Sequence, residues 1–314
     1  MITRILTTLR WQPVRPVVIA ALLFLLAACQ TLPPPEFAQQ QPEHQLDVPF
    51  VAQEKYQCGP AALAMMLQWA GKPDTAEALV DEVWLPQRQG SLGIELKAAA
   101  RSRGLLAYPV EDEDSLFREI QAGRPVLVLQ NLALKSWPKW HFAVVTGYDK
   151  AGKTIILHSG TTESDRSHWN RFIRTWARAD RWGFTLVQPG ELPASATAHG
   201  LFRAISAAPN GESYWPVAVE AFPQSGELWF GYGNSLWGEQ QREAALHAFQ
   251  QAVMLKPDFS AAWNNLAYAQ QALGHEDAAR QSLCQALALS PDDPDLQDSA
   301  LDLGYSCPVE TETD

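Results

Sequence analysis

Cys58 is followed at once by Gly59-Pro60 and then by an apolar run that stops at Gly71. Proline suits the first turn of a helix, and glycine suits its end. The spacing therefore predicts a buried helix over Pro60 to Ala70 with the Cys58 sulfur at its N-terminus. There the helix dipole and several unpaired N–H groups favour a thiolate, the nucleophilic form of cysteine. A buried cysteine packed at a helix start is the plain alternative. Gln53, five residues earlier, is placed to present an amide N–H beside the sulfur, the role of an oxyanion-stabilising side chain. His141 opens the apolar stretch Phe142 to Tyr148, with Trp137 and Trp140 just ahead of it. A histidine at the mouth of a buried strand can face a helix N-terminus across a cleft and serve as general base. An edge histidine bonded to solvent is the alternative there.

Other elements must hold these residues in place. Helical periods fit Thr75 to Val83, Ile94 to Arg103 and Asp114 to Ala122. Strand periods fit Val126 to Gln130, Phe142 to Tyr148, Thr154 to Leu157 and Phe184 to Val187. Helices first and an antiparallel sheet after them define an α+β domain over residues 47–190.

The chain has 314 residues, enough for two modest domains. Residues 1–28 read as a signal peptide, with Arg4, Arg10 and Arg15 ahead of an apolar run too short to span a bilayer comfortably. The run ends in Leu26-Ala27-Ala28-Cys29, which resembles the lipobox of bacterial lipoproteins. The resemblance implies cleavage before Cys29 and a lipid on that residue. An ordinary signal peptide with a chance cysteine is the alternative. Gln30, in the place where Asp would retain a lipoprotein at the inner membrane, implies an outer-membrane anchor with the protein facing the periplasm. Residues 29–46, rich in Pro and Gln, read as a tether.

The net charge is −11, and cleavage would remove three of the 24 basic and none of the 35 acidic residues, leaving −14. Such a balance argues against a nucleic-acid partner. In an exported protein Cys284 and Cys307 can form a disulfide, with two buried thiols as the alternative.

Residues 226–259 and 260–293 align without a gap at a period of 34. Trp229, Tyr232, Gly233, Leu236, Ala245, Phe249, Ala252 and Pro257 in the first window, and Trp263, Leu266, Ala267, Ala279, Leu283, Ala286 and Pro291 in the second, occupy recurring positions. This pattern resembles the tetratricopeptide repeat, a helix–turn–helix unit. Ala218 and Pro223 keep the phase of a degraded earlier repeat, so 191–225 reads as linker and degenerate repeat. Within 294–314, Asp295 to Leu303 is expected as a capping helix before a tail. By analogy with the family, the repeats would hold a protein partner.

Gln53, the run Gln57 to Met66, the segment Ala122-Gly123-Arg124-Pro125-Val126 and the strand from His141 together resemble the C39 family of cysteine peptidases. These have the papain fold and cleave leader peptides from bacteriocin precursors. The resemblance implies a papain-like α+β peptidase domain, a peptide or protein substrate, and Cys58 and His141 as the catalytic pair with Gln53 at the oxyanion. The family places an Asp at the end of the following strand to orient the imidazole. Here that stretch reads Leu157-His158-Ser159-Gly160, and His158 falls on the position, with Ser159 beside it and Asp149 in the intervening turn. A neutral side chain there would stabilise imidazolium less than a carboxylate does.

Gly147 to Thr154 satisfies the literal phosphate-loop expression. The β-branched Thr154-Ile155-Ile156 that follows reads as a strand where a helix would be needed, so no nucleotide is expected. No HExxH, CxxC or GxSxG motif occurs, and neither a metal nor another cofactor is expected. Trp169, Trp176 and Trp182 read as core. The sequence thus points to a lipid-anchored thiol peptidase followed by an all-α repeat domain. A catalytically inactive peptide-binding adaptor and a thiol amidase or acyltransferase are the alternatives.

Overall fold

A computed structural model of the chain describes residues 43–307. The signal peptide, Cys29, most of the tether and the last seven residues lie outside these. No helix among the described residues is long and apolar enough to cross a membrane.

The N-terminal part is built on one antiparallel sheet. Its strands are β4 (Leu106–Pro109), β5 (Val126–Asn131), β6 (Trp140–Asp149), β7 (Thr154–Ser159), β8 (Thr162–His168) and β9 (Gly183–Val187), in the order β4-β9-β5-β6-β7-β8. A short strand β1 (Glu43–Gln45) pairs with the far end of β6. Successive side chains on a strand point to opposite faces, and this alternation builds two cores. Leu127, Phe142, Val144, Phe184 and Leu186 pack on one face with helix α1 (Cys58–Trp69), whose residues Gly59 to Leu67 are all buried. Helices α2 (Ala76–Val83) and α3 (Gly93–Ser102) complete that layer. Val126, Val128, Ala143, Val145, Ile155 and Leu157 face the other way, against α4 (Glu113–Gln121) and α5 (Trp169–Ala177). Trp169 and Trp176 are both in that second core.

Every helix and strand expected from periodicity is present. The turn after β6 is a hairpin in which Gly152 N–H donates to Asp149 Oδ1 at 3.0 Å, and a strand follows it. Strands β4 and β8 were not expected, and three further features depart from expectation. The tether ends at β1, because Arg166 bonds Glu43 at 2.7 Å and Gln45 bonds Ser164 at 3.0 Å. A small hairpin, β2 (Trp84–Leu85) and β3 (Gly90–Ser91), stands between α2 and α3. The stretch 191–225, expected as linker and degenerate repeat, is a packed joint. Its helices α6 (Ala198–Ser206) and α7 (Trp215–Ala221) close a core with Leu106, Tyr108 and Val187 of β4 and β9.

Beyond the joint run α8 (Gly226–Gly238), α9 (Arg242–Leu255), α10 (Ser260–Ala272), α11 (Glu276–Leu289) and α12 (Pro294–Leu303). The period is visible in hydrogen bonds as well as in sequence. Trp229 Nε1 donates to Pro223 O, Trp263 Nε1 to Pro257 O and Gln297 Nε2 to Pro291 O, at 3.0, 2.8 and 2.9 Å. Each bond pins a first helix to the proline turn before it, at the same place in successive repeats. Gly233 leaves room for the Phe249 ring, since a Cβ there would lie 2.5 Å from it. Cys284 of α11 and Cys307 beyond α12 form a disulfide.

Candidate functional site

Cys58 is the first residue of α1. Gln57 precedes it without a side-chain cap, so the opening N–H groups of the helix are free to face the sulfur. Burial pushes the thiol above its ordinary value, while the N–H groups of Phe142, Gly59 and Cys58 itself pull it down without offsetting that burial. The expectation of a resting thiolate is thus reversed. The helix terminus is where the sequence put it, but the desolvation of a half-buried sulfur outweighs it.

Cys58, His141, Phe142 and Gln53 line one cleft, bounded on its other side by the β2–β3 hairpin. The hairpin closes tightly on α1, since a Cβ at Gly59 would lie 2.2 Å from Ser91 Oγ. Burial, followed by the nearby positive charge of Lys139, holds His141 below its ordinary value. Thiol and imidazole therefore both favour their neutral forms. No hydrogen bond joins the two side chains among the described residues. Unliganded sites often carry such catalytic contacts long, and they tighten on substrate.

The imidazole is held from its far side. His141 Nε2 lies 2.9 Å from Ser159 Oγ, which leaves Nδ1 as the nitrogen open to a proton from Cys58. His158 was expected to orient this ring and does not. It is buried at 2% exposure, bonded through Nε2 to Val48 O at 2.9 Å and through Nδ1 to Ser164 N–H at 3.2 Å. A carbonyl only accepts and an N–H only donates, so both bonds together demand the neutral Nε2–H tautomer. His158 thereby fastens residues 48–50 to the sheet, with Phe50 edge-on to its ring. The residue that meets His141 is the next one along, because neighbours on a strand point to opposite faces. Asp149 is committed to its own turn and to Arg166 at 3.1 Å.

Gln53 N–H donates to Gly160 O at 3.0 Å, which pins the loop before α1 to the turn that follows Ser159. Its side-chain amide has no partner among the described residues. Sequence reasoning missed three cations on the cleft, Lys55, Arg88 and Lys139, which carry no motif. Ser159 was legible as a neighbour of the expected position, and the parity of β6 and β7 was the signal that could have singled it out.

Residues 45–183 match the model of the Peptidase_C39 like family, and residues 236–301 match a tetratricopeptide repeat model. No curated protein matches the chain. Among solved structures, a C39-like protein from Bacillus anthracis is similar at 18% identity, covering 47% of this chain and 98% of its own, with a TM-score of 0.40. The peptidase domain of Streptococcus ComA, a bi-functional ABC transporter, is similar at 20% identity over 45% of this chain and 99% of its own, with a TM-score of 0.37. The second tetratricopeptide domain of human RPAP3 is similar at 18% identity over 35% of this chain and 90% of its own, with a TM-score of 0.30. The chain thus carries a domain of the Peptidase_C39 like family at residues 45–183, followed by tetratricopeptide repeats.

Proposed function

We propose that the protein is a thiol peptidase, lipid-anchored through Cys29 and facing the periplasm from the outer membrane, whose repeats hold a protein partner or substrate. The observation that carries the catalytic part is the shared cleft: a sulfur at the N-terminus of a buried helix, and an imidazole whose Nε2 is already held by Ser159. In this reading His141 Nδ1 takes the Cys58 proton as the sulfur attacks a peptide carbonyl, and Nε2–H donates to Ser159 Oγ. The Cys58 N–H and the Gln53 amide bind the oxyanion, His141 returns the proton to the leaving amine, and water then hydrolyses the thioester.

Hydrolysis of a fluorogenic peptide library by the mature chain tests this, together with iodoacetamide labelling of Cys58 across pH. Cys58→Ala should abolish hydrolysis, and His141→Ala should lower it by at least about 10²-fold. The reading fails if the library is untouched and labelling of Cys58 is indifferent to His141→Ala. The anchor is tested separately by incorporation of labelled palmitate, which Cys29→Ser should remove.

A second reading, an inactive peptide-binding adaptor, draws on the hydroxyl at Ser159 in place of a carboxylate and on the neutral resting pair. The same assay separates the two readings, since an adaptor would bind library peptides without cleaving them.

A further inference from the structure

The protein carries a net charge of −11, yet the cleft beside Cys58 is lined by Lys55, Arg88 and Lys139 and by no aspartate or glutamate. All three cations are exposed, and none forms an ion pair with a described residue. Elsewhere several arginines pair with carboxylates, as in Arg103 with Asp74 and Glu82, Arg166 with Glu43 and Asp149, and Arg124 with Glu191. An acidic protein that keeps one concave surface cationic, with no described carboxylate paired to its charges, concentrates anions there. The three come from three separate segments: the loop before α1, the β2–β3 hairpin and the approach to β6. Glu54, next to Lys55 in the chain, is exposed but does not line the cleft, and Asp180 lines an adjoining pocket that shares Trp140 with the cleft. Trp140, 54% exposed, offers an apolar surface between the two.

We propose that the cleft selects acidic peptides, with Lys139, Arg88 and Lys55 binding carboxylates that flank the residue presented to Cys58 and Trp140 covering an apolar neighbour. This rests on the reading that a peptide occupies the cleft, and it names the substrate class. Lys139 stands two residues before His141, and its charge already reaches the imidazole. A substrate carboxylate paired with Lys139 relieves that repulsion and returns basicity to the ring as the substrate seats. Acidic substrates would therefore gain in kcat as well as in KM.

Two measurements on the mature chain test the inference. In the first, iodoacetate and iodoacetamide alkylate Cys58, followed by mass mapping of the peptide that carries it. The ratio of the two rates cancels the thiolate fraction and reads the local field. It should exceed the ratio for N-acetylcysteinamide by at least about threefold, and fall toward it in Lys139→Gln and in 1 M salt. Lys153→Gln, in the turn between β6 and β7, should leave it unchanged. In the second, fluorescein-labelled decapeptides differing only in Glu against Gln are titrated onto the Cys58→Ala chain, where the Glu series should bind more tightly and lose that advantage in Arg88→Gln and Lys139→Gln. A ratio equal to the free thiol's, or equal binding of the two series, overturns the inference. If the Glu preference is present while the hydrolysis assay fails, the peptidase reading falls and the selectivity of the cleft stands.

Discussion

Ser159 decides how the imidazole behaves. A hydroxyl fixes the orientation of His141 through Nε2 but adds no negative charge, so imidazolium gains little from it. Ser159→Asp should therefore raise kcat/KM, and Ser159→Ala should lower it, each on the order of tenfold, read in the peptide assay. The aspartate should also move the acid limb of the pH profile upward, because an adjacent negative charge favours the protonated ring. In the native chain the signs run the other way. Burial and Lys139 lower His141, so its protonation, and with it the acid limb, falls below the usual imidazole range. Burial raises Cys58, so the alkaline limb lies above the usual thiol range. The expected profile is a broad plateau between the two, and iodoacetamide labelling of Cys58 should climb at higher pH than labelling of a free cysteine.

At the scale of elements, α1 and the β2–β3 hairpin form the two walls that make Cys58 part of a cleft. Their contact depends on the missing side chain at Gly59, where a Cβ would lie 2.2 Å from Ser91 Oγ. Gly59→Ala should cost about 1–3 kcal/mol in thermal unfolding and slow alkylation of Cys58 as the hairpin is pushed away, and Ser91→Gly in the same chain should restore both. The long elements were legible because each buries a face with a clear period: α1 is apolar throughout, and β5, β6, β7 and β9 alternate or run apolar. Strand β8, Thr-Glu-Ser-Asp-Arg-Ser-His, was not legible. It pairs only with β7 at the edge of the sheet and is mostly exposed, so its strand character comes from backbone bonds and leaves little mark in side-chain type. The two-residue strands of the hairpin are too short to have a period at all.

At the scale of the whole molecule, the joint and the disulfide hold the ends of the structure. Tyr214, 1% exposed, accepts from Leu106 N–H at 3.0 Å and donates to Val187 O at 2.9 Å, so one hydroxyl ties the joint to β4 and β9. Tyr214→Phe should leave those strand groups short of a partner and lower stability by about 1–3 kcal/mol in urea unfolding. Glu119, with no exposed surface, adds a second tie, since Ser195 N–H and Oγ both reach its Oε1 at 2.6 Å. The Cys284–Cys307 bond closes a loop of sequence separation 23 over α12. Its reduction should cost about 3 kcal/mol and expose the last repeat first, which hydrogen exchange along α11 and α12 would reveal.

By itself the sequence determined the two-part architecture, the helix that begins at Cys58, the strand that begins at His141 and the 34-residue period, because each is written in local spacing. Which neighbour meets His141 was decided only in three dimensions. His158 and Ser159 are adjacent in the chain and point to opposite faces of β7, and the register with β6 gave one to the imidazole and the other to Val48. The protonation of the site was decided there as well. A helix terminus argues for a thiolate from sequence, whereas the depth at which the sulfur lies, and hence its desolvation, follows from how α1, β6 and the hairpin pack. The cationic cleft belongs to the same class: Lys55, Arg88 and Lys139 are scattered along an acidic chain, and only the fold gathers them on one surface.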